Sequence, residues 1–502
     1  MTGDRVPRRT HGPAAVAVPA NDLVGLDAGS WLTTRPRGTL IALGGMLVSF
    51  VLGFLAMEDP RYALALFAGI VLILLVLVRP YYGALGLVAL VPTLSGLAPG
   101  VPVPNIRISE ILIGVIGATL LTTARRQAAV PWGTLDWLLL AYGVLWAFDG
   151  ALGAMSAHQH LSISEWGTAA GQLQFFLLYR SLKVTLRTTN ERHLALKVLF
   201  VASGAVALLA VMEELKVPGV INAIVWLTRS PVVGGTGGVI RATGPFANWA
   251  ALAGYMLPLI FVALSLGLGD ALPKHKKTQV GLGLLLVLGL FVTAELSNIL
   301  CLLAGVGLLG VRYQRGRMVL RWLGIGAIVV AIGAGGLLAQ RIDAQLSTSA
   351  GSSHHTGVPQ TLVTRWSVWT QQYIPAIEKK PLTGYGVELP SSIQWPFPES
   401  EYISFLIEGG VPLLALFGFL AWAMLAEARR GSRCEDPVDR ALGQGLRVAV
   451  LAMVIVNTIW PFLSNGGEPQ VLWVLFALLP RAVAKNAPQP GRPPGVSVTS
   501  LP

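Results

Sequence analysis

The feature that most constrains this chain is a succession of apolar runs close to membrane-spanning length, such as 39–57 and 198–212. A soluble core needs apolar residues at helical or strand spacing, not in unbroken blocks. Crossing the hydrocarbon of a bilayer does need such blocks, of roughly 20 residues each. Composition agrees: 12% of residues are charged, where a soluble domain carries about a quarter. The fold expected is therefore all-α, a polytopic membrane protein of about 12–14 transmembrane helices. The spans predicted are 38–57, 62–78, 81–98, 109–123, 133–151, 165–183, 194–213, 246–268, 279–294, 296–311, 320–338, 402–425, 443–462 and 469–484. The long apolar stretches 62–98 and 279–311 are each read as two spans. Arg79-Pro80 breaks the first, and Glu295-Leu296-Ser297-Asn298 the second.

The net charge of +12 would suggest nucleic acid in a soluble protein. Here the cations sit in short loops, and no basic stripe interleaves with aromatics, so nucleic-acid binding is excluded. Clusters at Arg125-Arg126, at Lys183, Arg187 and Arg192, at Lys274, Lys276 and Lys277, at Arg312, Arg315 and Arg317, and at Arg429, Arg430 and Arg433 fall on alternate loops. The positive-inside rule makes those loops cytoplasmic. Both termini are then inside a cell (cytoplasmic) membrane crossed many times. Residues 1–37 and 485–502 read as disordered cytoplasmic tails flanking a membrane domain over 38–484. Arg180 falls near the inner end of its span, where it is expected to snorkel. Cys301 and Cys434 lie too differently to pair, and no zinc spacing exists. The histidine pairs His158/His160 and His354/His355 read as solvated loop residues, so no metal site is expected.

Two segments on the outer side stand out by length. Residues 214–245 form a Gly-rich loop, and 339–401 form a large extracytoplasmic loop. Past Gly357 the latter carries Trp366, Trp369 and Tyr373, which predicts one or two amphipathic helices at the membrane surface. Outer cations are few: Arg61, Arg107, Lys216, Arg229, Arg241, Arg341, Arg365, Lys379 and Lys380. Arg241 stands just before Gly244-Pro245 and a span; Arg365 stands in Thr364-Arg-Trp-Ser-Val-Trp369. A guanidinium bonds phosphate oxygens with a planar fork, so the two suit a pyrophosphate. Glu399, Glu401 and Glu408 then enter the start of the next span, where carboxylates are costly and point to function.

Three blocks carry a resemblance to the O-antigen ligase and O-antigen polymerase superfamily of bacterial envelope glycosyltransferases. Arg241-Ala-Thr-Gly-Pro-Phe-Ala-Asn248 resembles the family's Arg-x-x-Gly-x-Phe-x-Asn entry to a central span. Arg365-Trp-Ser-Val-Trp369 and Lys380-Pro-Leu-Thr-Gly-Tyr-Gly386 resemble its Arg-x-x-x-Trp and Pro-Leu-x-Gly-x-Gly motifs. Glu399-Ser-Glu-Tyr-Ile through Glu408-Gly-Gly410 resembles its His-Asn-x-Tyr-Leu…Glu-x-Gly block. The overlap covers roughly residues 190–480. Two positions depart: the family's His-Asn pair reads Glu399-Ser400, and its frequent Ser-Arg pair reads Ser297-Asn298.

The resemblance implies transfer of a glycan from an undecaprenyl-pyrophosphate-linked donor, held in membrane lipid, to a hydroxyl acceptor, with no metal or other cofactor. Arg241 and Arg365 would stabilise the leaving pyrophosphate. Glu399, with Glu401 as substitute, would take the acceptor proton. Glu401, Tyr402, Tyr385, Trp369 and Asn248 are the expected substrate-binding residues, and Trp395 joins Tyr385 and Tyr402 as a surface on which sugar rings could stack. Polymerase and ligase both remain open. The competing class is a transporter of a small anion or of a lipid-linked glycan. It would place paired ionisable groups at mid-membrane, and the middles of 194–213, 246–268 and 320–338 carry none.

Overall fold

The computed structural model describes residues 60–94, 108–124, 130–156, 170–228, 241–272, 276–314, 360–386, 389–463 and 468–480, with scattered residues of 167 and 317–342. Compact packing divides the chain into Met1–Ala63 and Leu64–Pro502. Of the first unit only 60–63 are described, as the opening of a helix. The second holds everything below. The expected tails 1–37 and 485–502 and the span 38–57 lie outside the described residues.

Every regular element among the described residues is helical. In chain order they are α1 (Pro60–Val78), α2 (Pro80–Leu94), α3 (108–124, with a π turn at Ile113–Gly117), α4 (Thr134–Ser156), α5 (Leu173–Thr185), α6 (Thr189–Glu214) and α7 (Val220–Thr228). There follow α8 (Trp249–Leu268), α9 (Lys276–Phe291), α10 (Leu296–Arg312), α11 (360–379), α12 (Glu401–Gly431), α13 (Pro437–Val456) and α14 (Glu468–Ala477). Among the described residues four helices, α4, α6, α8 and α12, are long and apolar enough to cross a membrane, and several shorter ones are largely apolar. Side chains such as Val201, Val311 and Trp422 are 73%, 80% and 62% exposed on the outside of this bundle. Large apolar residues open on so many helices fit a hydrocarbon surround, not water. The protein is a polytopic membrane protein.

The first expected break is present, with Arg79 the single non-helical residue between α1 and α2. The second stands earlier than expected: 292–295 separate α9 from α10, and Leu296–Asn298 are already helical. Helix α7 was not expected; the 214–245 segment reads as loop by its glycines, yet 220–228 (Val-Ile-Asn-Ala-Ile-Val-Trp-Leu-Thr) has no glycine and coils. The residues of 320–338 are described only singly or in pairs, each as helix.

The axis of the bundle is α8, buried along nearly its whole length against α9, α10, α13 and α14. Small residues let the backbones close up: a Cβ on Gly445 of α13 would stand 2.6 Å from Val262 Cα of α8. That is the contact membrane bundles use in place of a hydrophobic drive. Cys301 and Cys434 are both free. Near the basic loops the helices are tied by buried ion pairs. Arg180 meets Asp136 at 2.9 Å and Lys183 meets Glu427 at 3.4 Å. Arg180 therefore does not snorkel. It is 6% exposed, also donates to the Val130 carbonyl, and lies over the Trp132 ring.

Candidate active site

The Arg241 block is a turn built to hold one side chain. Glu213, at the end of α6, accepts the backbone N–H groups of Thr243 at 2.9 Å and Gly244 at 2.7 Å, and the Thr243 hydroxyl at 3.3 Å. Two neighbouring amides on one carboxylate fix the direction of the chain between them. Gly244 takes φ +55°, open to glycine without strain. Phe246 is fully buried against Tyr255, with ring centroids 5.1 Å apart. Asn248 caps α8, its Oδ1 accepting the Ala251 N–H at 2.8 Å, as helix N-caps do. Arg241 itself is 3% exposed. Its guanidinium lies 4.5 Å over the Trp249 ring and 3.6 Å from Glu295. Glu295 in turn accepts the Ser297 hydroxyl at 2.9 Å. Asn298, the other departure from the family pair, is fully buried with neither amide atom in a hydrogen bond.

The Arg365 block lies on α11. Its Gln360–Val368 segment runs through a π turn at Trp369–Tyr373 into Ile374–Lys379. One interrupted helix thus stands where one or two were expected. Its side chains grip the return segment before α12. Trp369 Nε1 donates to the Pro398 carbonyl at 2.6 Å, and Tyr373 Oη to the Trp395 carbonyl at 2.8 Å. Gln372 Oε1 accepts the N–H groups of Gln394 and Trp395 at 2.9 and 3.1 Å. Burial, then the charges of Glu408 and Glu399, push the Tyr373 phenol above its usual range, so it acts as a neutral donor. Arg365 Nε is ion-paired with Glu399 Oε2 on the wall of a shallow groove that includes Trp369, Trp395 and Phe397. Glu399 takes φ +51°, uncommon for a residue with a Cβ and a form of stored strain.

The glycine-rich blocks interlock. Helix α12 contains Gly410-Val411-Pro412, and Gly410 departs from the helix at φ +66°, ψ −162°. Pro412 has no N–H, so the Glu408 carbonyl loses its usual partner four residues on. Gly386 supplies one, donating to that carbonyl at 2.8 Å, while Tyr385 N–H donates to Ile407 O at 2.7 Å. Val411 N–H, displaced from Ile407, donates to Pro381 O at 2.8 Å. The Pro381–Gly386 segment thus replaces helix bonds that the kink removes. It comes so close that a Cβ on Gly384 would meet the Glu408 carbonyl oxygen at 2.4 Å. Tyr385 completes the seat through its hydroxyl, 3.1 Å from Ala376 O, and under the Lys380 ammonium.

Of the expected site residues, Arg365, Glu399 and Trp369 gather along α11 and its return segment. Arg241 stands in its own enclosure with Glu295. Tyr385 anchors the interlock, and Asn248 is a cap. Glu401 is fully buried at the start of α12, its Oε2 accepting Leu463 N–H at 3.1 Å and its own N–H donating to Asn457 O at 2.9 Å. Tyr402 Oη donates to Val454 O at 2.5 Å. Glu213, which shapes the site, escaped the sequence reading, visible only as an acid at the edge of an apolar run; Glu295 was read only as part of a helix break.

The break between α9 and α10, α11, the Arg365–Glu399 pair and the kink of α12 all fall inside one stretch with a known counterpart. Residues 281–418 match the O-antigen ligase family model. That stretch of the chain is similar to the O-antigen ligase family. That family implies glycosyltransferase activity on a lipid-linked glycan. Arg241, Glu213 and Trp249 precede the matched stretch, and Glu295 lies inside it. No curated protein matches the chain significantly.

Proposed function

We propose that the protein transfers a glycan from an undecaprenyl-pyrophosphate-linked donor to a hydroxyl acceptor at the outer face of the cytoplasmic membrane, as a cell-surface polysaccharide polymerase or ligase. The observation that carries this reading is the Arg365–Glu399 ion pair, set on the groove of α11 within the family-matched residues. In this reading the basic loops are cytoplasmic, both termini are inside, and 339–401 is extracytoplasmic.

The chemistry follows from what each group can hold. The acceptor oxygen attacks the anomeric carbon of the donor, the bond from that carbon to the pyrophosphate oxygen breaks, and the acceptor proton passes to Glu399. The leaving lipid pyrophosphate is stabilised by Arg365, and by Arg241 where the donor bridges both. Without donor, Glu399 is tied to Arg365. A pyrophosphate drawing the guanidinium away would free the carboxylate only when there is a donor to attack. That coupling restrains the base from acting on water. The fork geometry of arginine makes lysine a poor replacement at position 365.

The test replaces Arg241, Arg365 and Glu399 singly by Ala and follows glycan length and lipid-linked intermediates in cells. Loss of transfer with normal protein levels is expected for Arg365→Ala and Glu399→Ala. Accumulated single repeat units identify a polymerase, and long unattached chains a ligase. Full transfer by all three variants sinks the reading.

A further inference from the structure

A second cluster of ionisable groups lies outside the family-matched stretch, at the end of the bundle that carries the basic loops. Helix α6 begins there with a capping box, Glu191 N–H donating to Thr188 Oγ1 at 3.2 Å and Thr188 N–H to Glu191 Oε2 at 2.8 Å. Helix α13 begins beside it, its N-cap Asp436 accepting the N–H groups of Val438 and Asp439, both at 2.9 Å. His193 of α6 stands between the two aspartates. Its Nε2 is 3.3 Å from Asp436 Oδ1 and 3.5 Å from Asp439 Oδ1. Both separations exceed an ordinary N–H···O bond. His193 Nε2 and Asp439 Oδ1 are both buried atoms that face each other at 3.5 Å, and the Asp439 side chain is 5% exposed.

From this geometry we propose that His193, Asp436 and Asp439 form a divalent-cation site that staples the start of α6 to the start of α13. One ligand atom from each lies within 4.8 Å of the others. Ligands about 2.0–2.2 Å from a tetrahedral ion lie about 3.3–3.6 Å apart, the spacing of His193 Nε2 from Asp439 Oδ1; Asp436 Oδ1, which already accepts two backbone N–H groups, is the weaker of the two carboxylate ligands. One imidazole nitrogen with two carboxylate oxygens suits a borderline ion such as Zn2+ better than Mg2+, which prefers an all-oxygen shell. The surroundings support it in two ways. Arg192 holds the other oxygen of Asp439 at 2.8 Å, the outer contact that orients a ligating carboxylate. The two amides on Asp436 fix the second carboxylate. Two carboxylates stand against one guanidinium in the cluster, so a dication is attracted.

The staple reaches the candidate active site through the helices it joins. The far end of α6 carries Glu213, which cradles the Arg241 turn. The far end of α13 leads to Asn457, whose carbonyl takes the Glu401 N–H. Locking the near ends therefore stiffens two supports of the outer-side loops.

The test uses the full chain purified in detergent or lipid nanodiscs, stripped with a chelator and titrated with Zn2+ at neutral pH, with Mg2+ as control. Expected are about one equivalent of bound Zn2+, a rise in Tm of a few degrees on saturation, and neither effect with Mg2+. His193→Ala and Asp436→Asn should each weaken Zn2+ binding more than tenfold. Asn keeps the N-cap acceptor, so the Asp436→Asn protein should fold with its metal-free Tm nearly unchanged. Zn2+ binding equal in wild type and both variants overturns the proposal. So does a wild type that neither binds Zn2+ nor is stabilised by it.

Discussion

The two arginines of the candidate site are held in opposite ways. Arg241 is enclosed: stacked on Trp249, near Glu295, 3% exposed, with its backbone clamped by Glu213 from another helix. Arg365 sits on a surface helix beside a groove, its side chain 16% exposed, paired with a glutamate in a strained backbone conformation. One is fixed before any ligand arrives. The other is paired so that an anion can exchange partners with it. The difference suggests a division of labour, with Arg241 a rigid anchor and Arg365 with Glu399 the part that changes state during transfer.

The sharpest attack on this contrast is Glu399→Ala. Losing a general base costs about 10²–10⁴-fold in rate, and because the Arg365–Glu399 pair is part-exposed its loss should change Tm little. Purified-protein transfer assays with a thermal melt check both; a Tm loss as severe as the rate loss would break the contrast. Next is Arg241→Ala, which leaves Glu295 without its guanidinium and strips Trp249 of its stacked cation. It should destabilise the protein by about 3 kcal/mol as well as slow transfer, since breaking a buried pair strands a charge. Unchanged stability would mean that Arg241 is no anchor. Third, Glu213→Ala orphans the amides of Thr243 and Gly244 and should cost about 2 kcal/mol, with Glu213→Gln largely restoring it. Transfer should fall in the alanine variant through misplacement of Arg241, and rescue by Gln separates positioning from charge. Smallest is Glu399→Gly, which relieves φ +51° and should raise stability by up to about 1 kcal/mol, read as a higher Tm in an inactive protein.

How far the sequence carried depended on whether a feature is local. Arg79-Pro80 predicted a helix break because proline and its predecessor resist the helix by their own geometry. The amphipathic aromatics of 360–379 likewise announced α11. Helix α7 was hidden by the glycines on either side of it. Gly410-Val-Pro412 fell inside the predicted span 402–425 with no kink foreseen, because the kink depends on Pro381–Gly386, a distant segment that supplies the missing hydrogen bonds. Asn248 and Tyr385 were read as substrate groups from motif position alone, yet each meets a partner within the protein. Glu213 could not be distinguished from its neighbour Glu214, because only the folded chain shows which carboxylate meets the 243–244 amides.

What the sequence determined by itself was the all-helical membrane architecture, the likeness to the O-antigen ligase family, and the blocks around Arg241, Arg365 and Glu399. Each follows from contiguous residues: run length, charge and motif order are properties of the chain as written. Only the tertiary structure decided which carboxylate faces which arginine, that the glycine motifs mend a broken helix, and that His193 meets Asp436 and Asp439. Those are pairings between residues tens or hundreds of positions apart, and their energies depend on burial and distance, which exist only once the helices have packed.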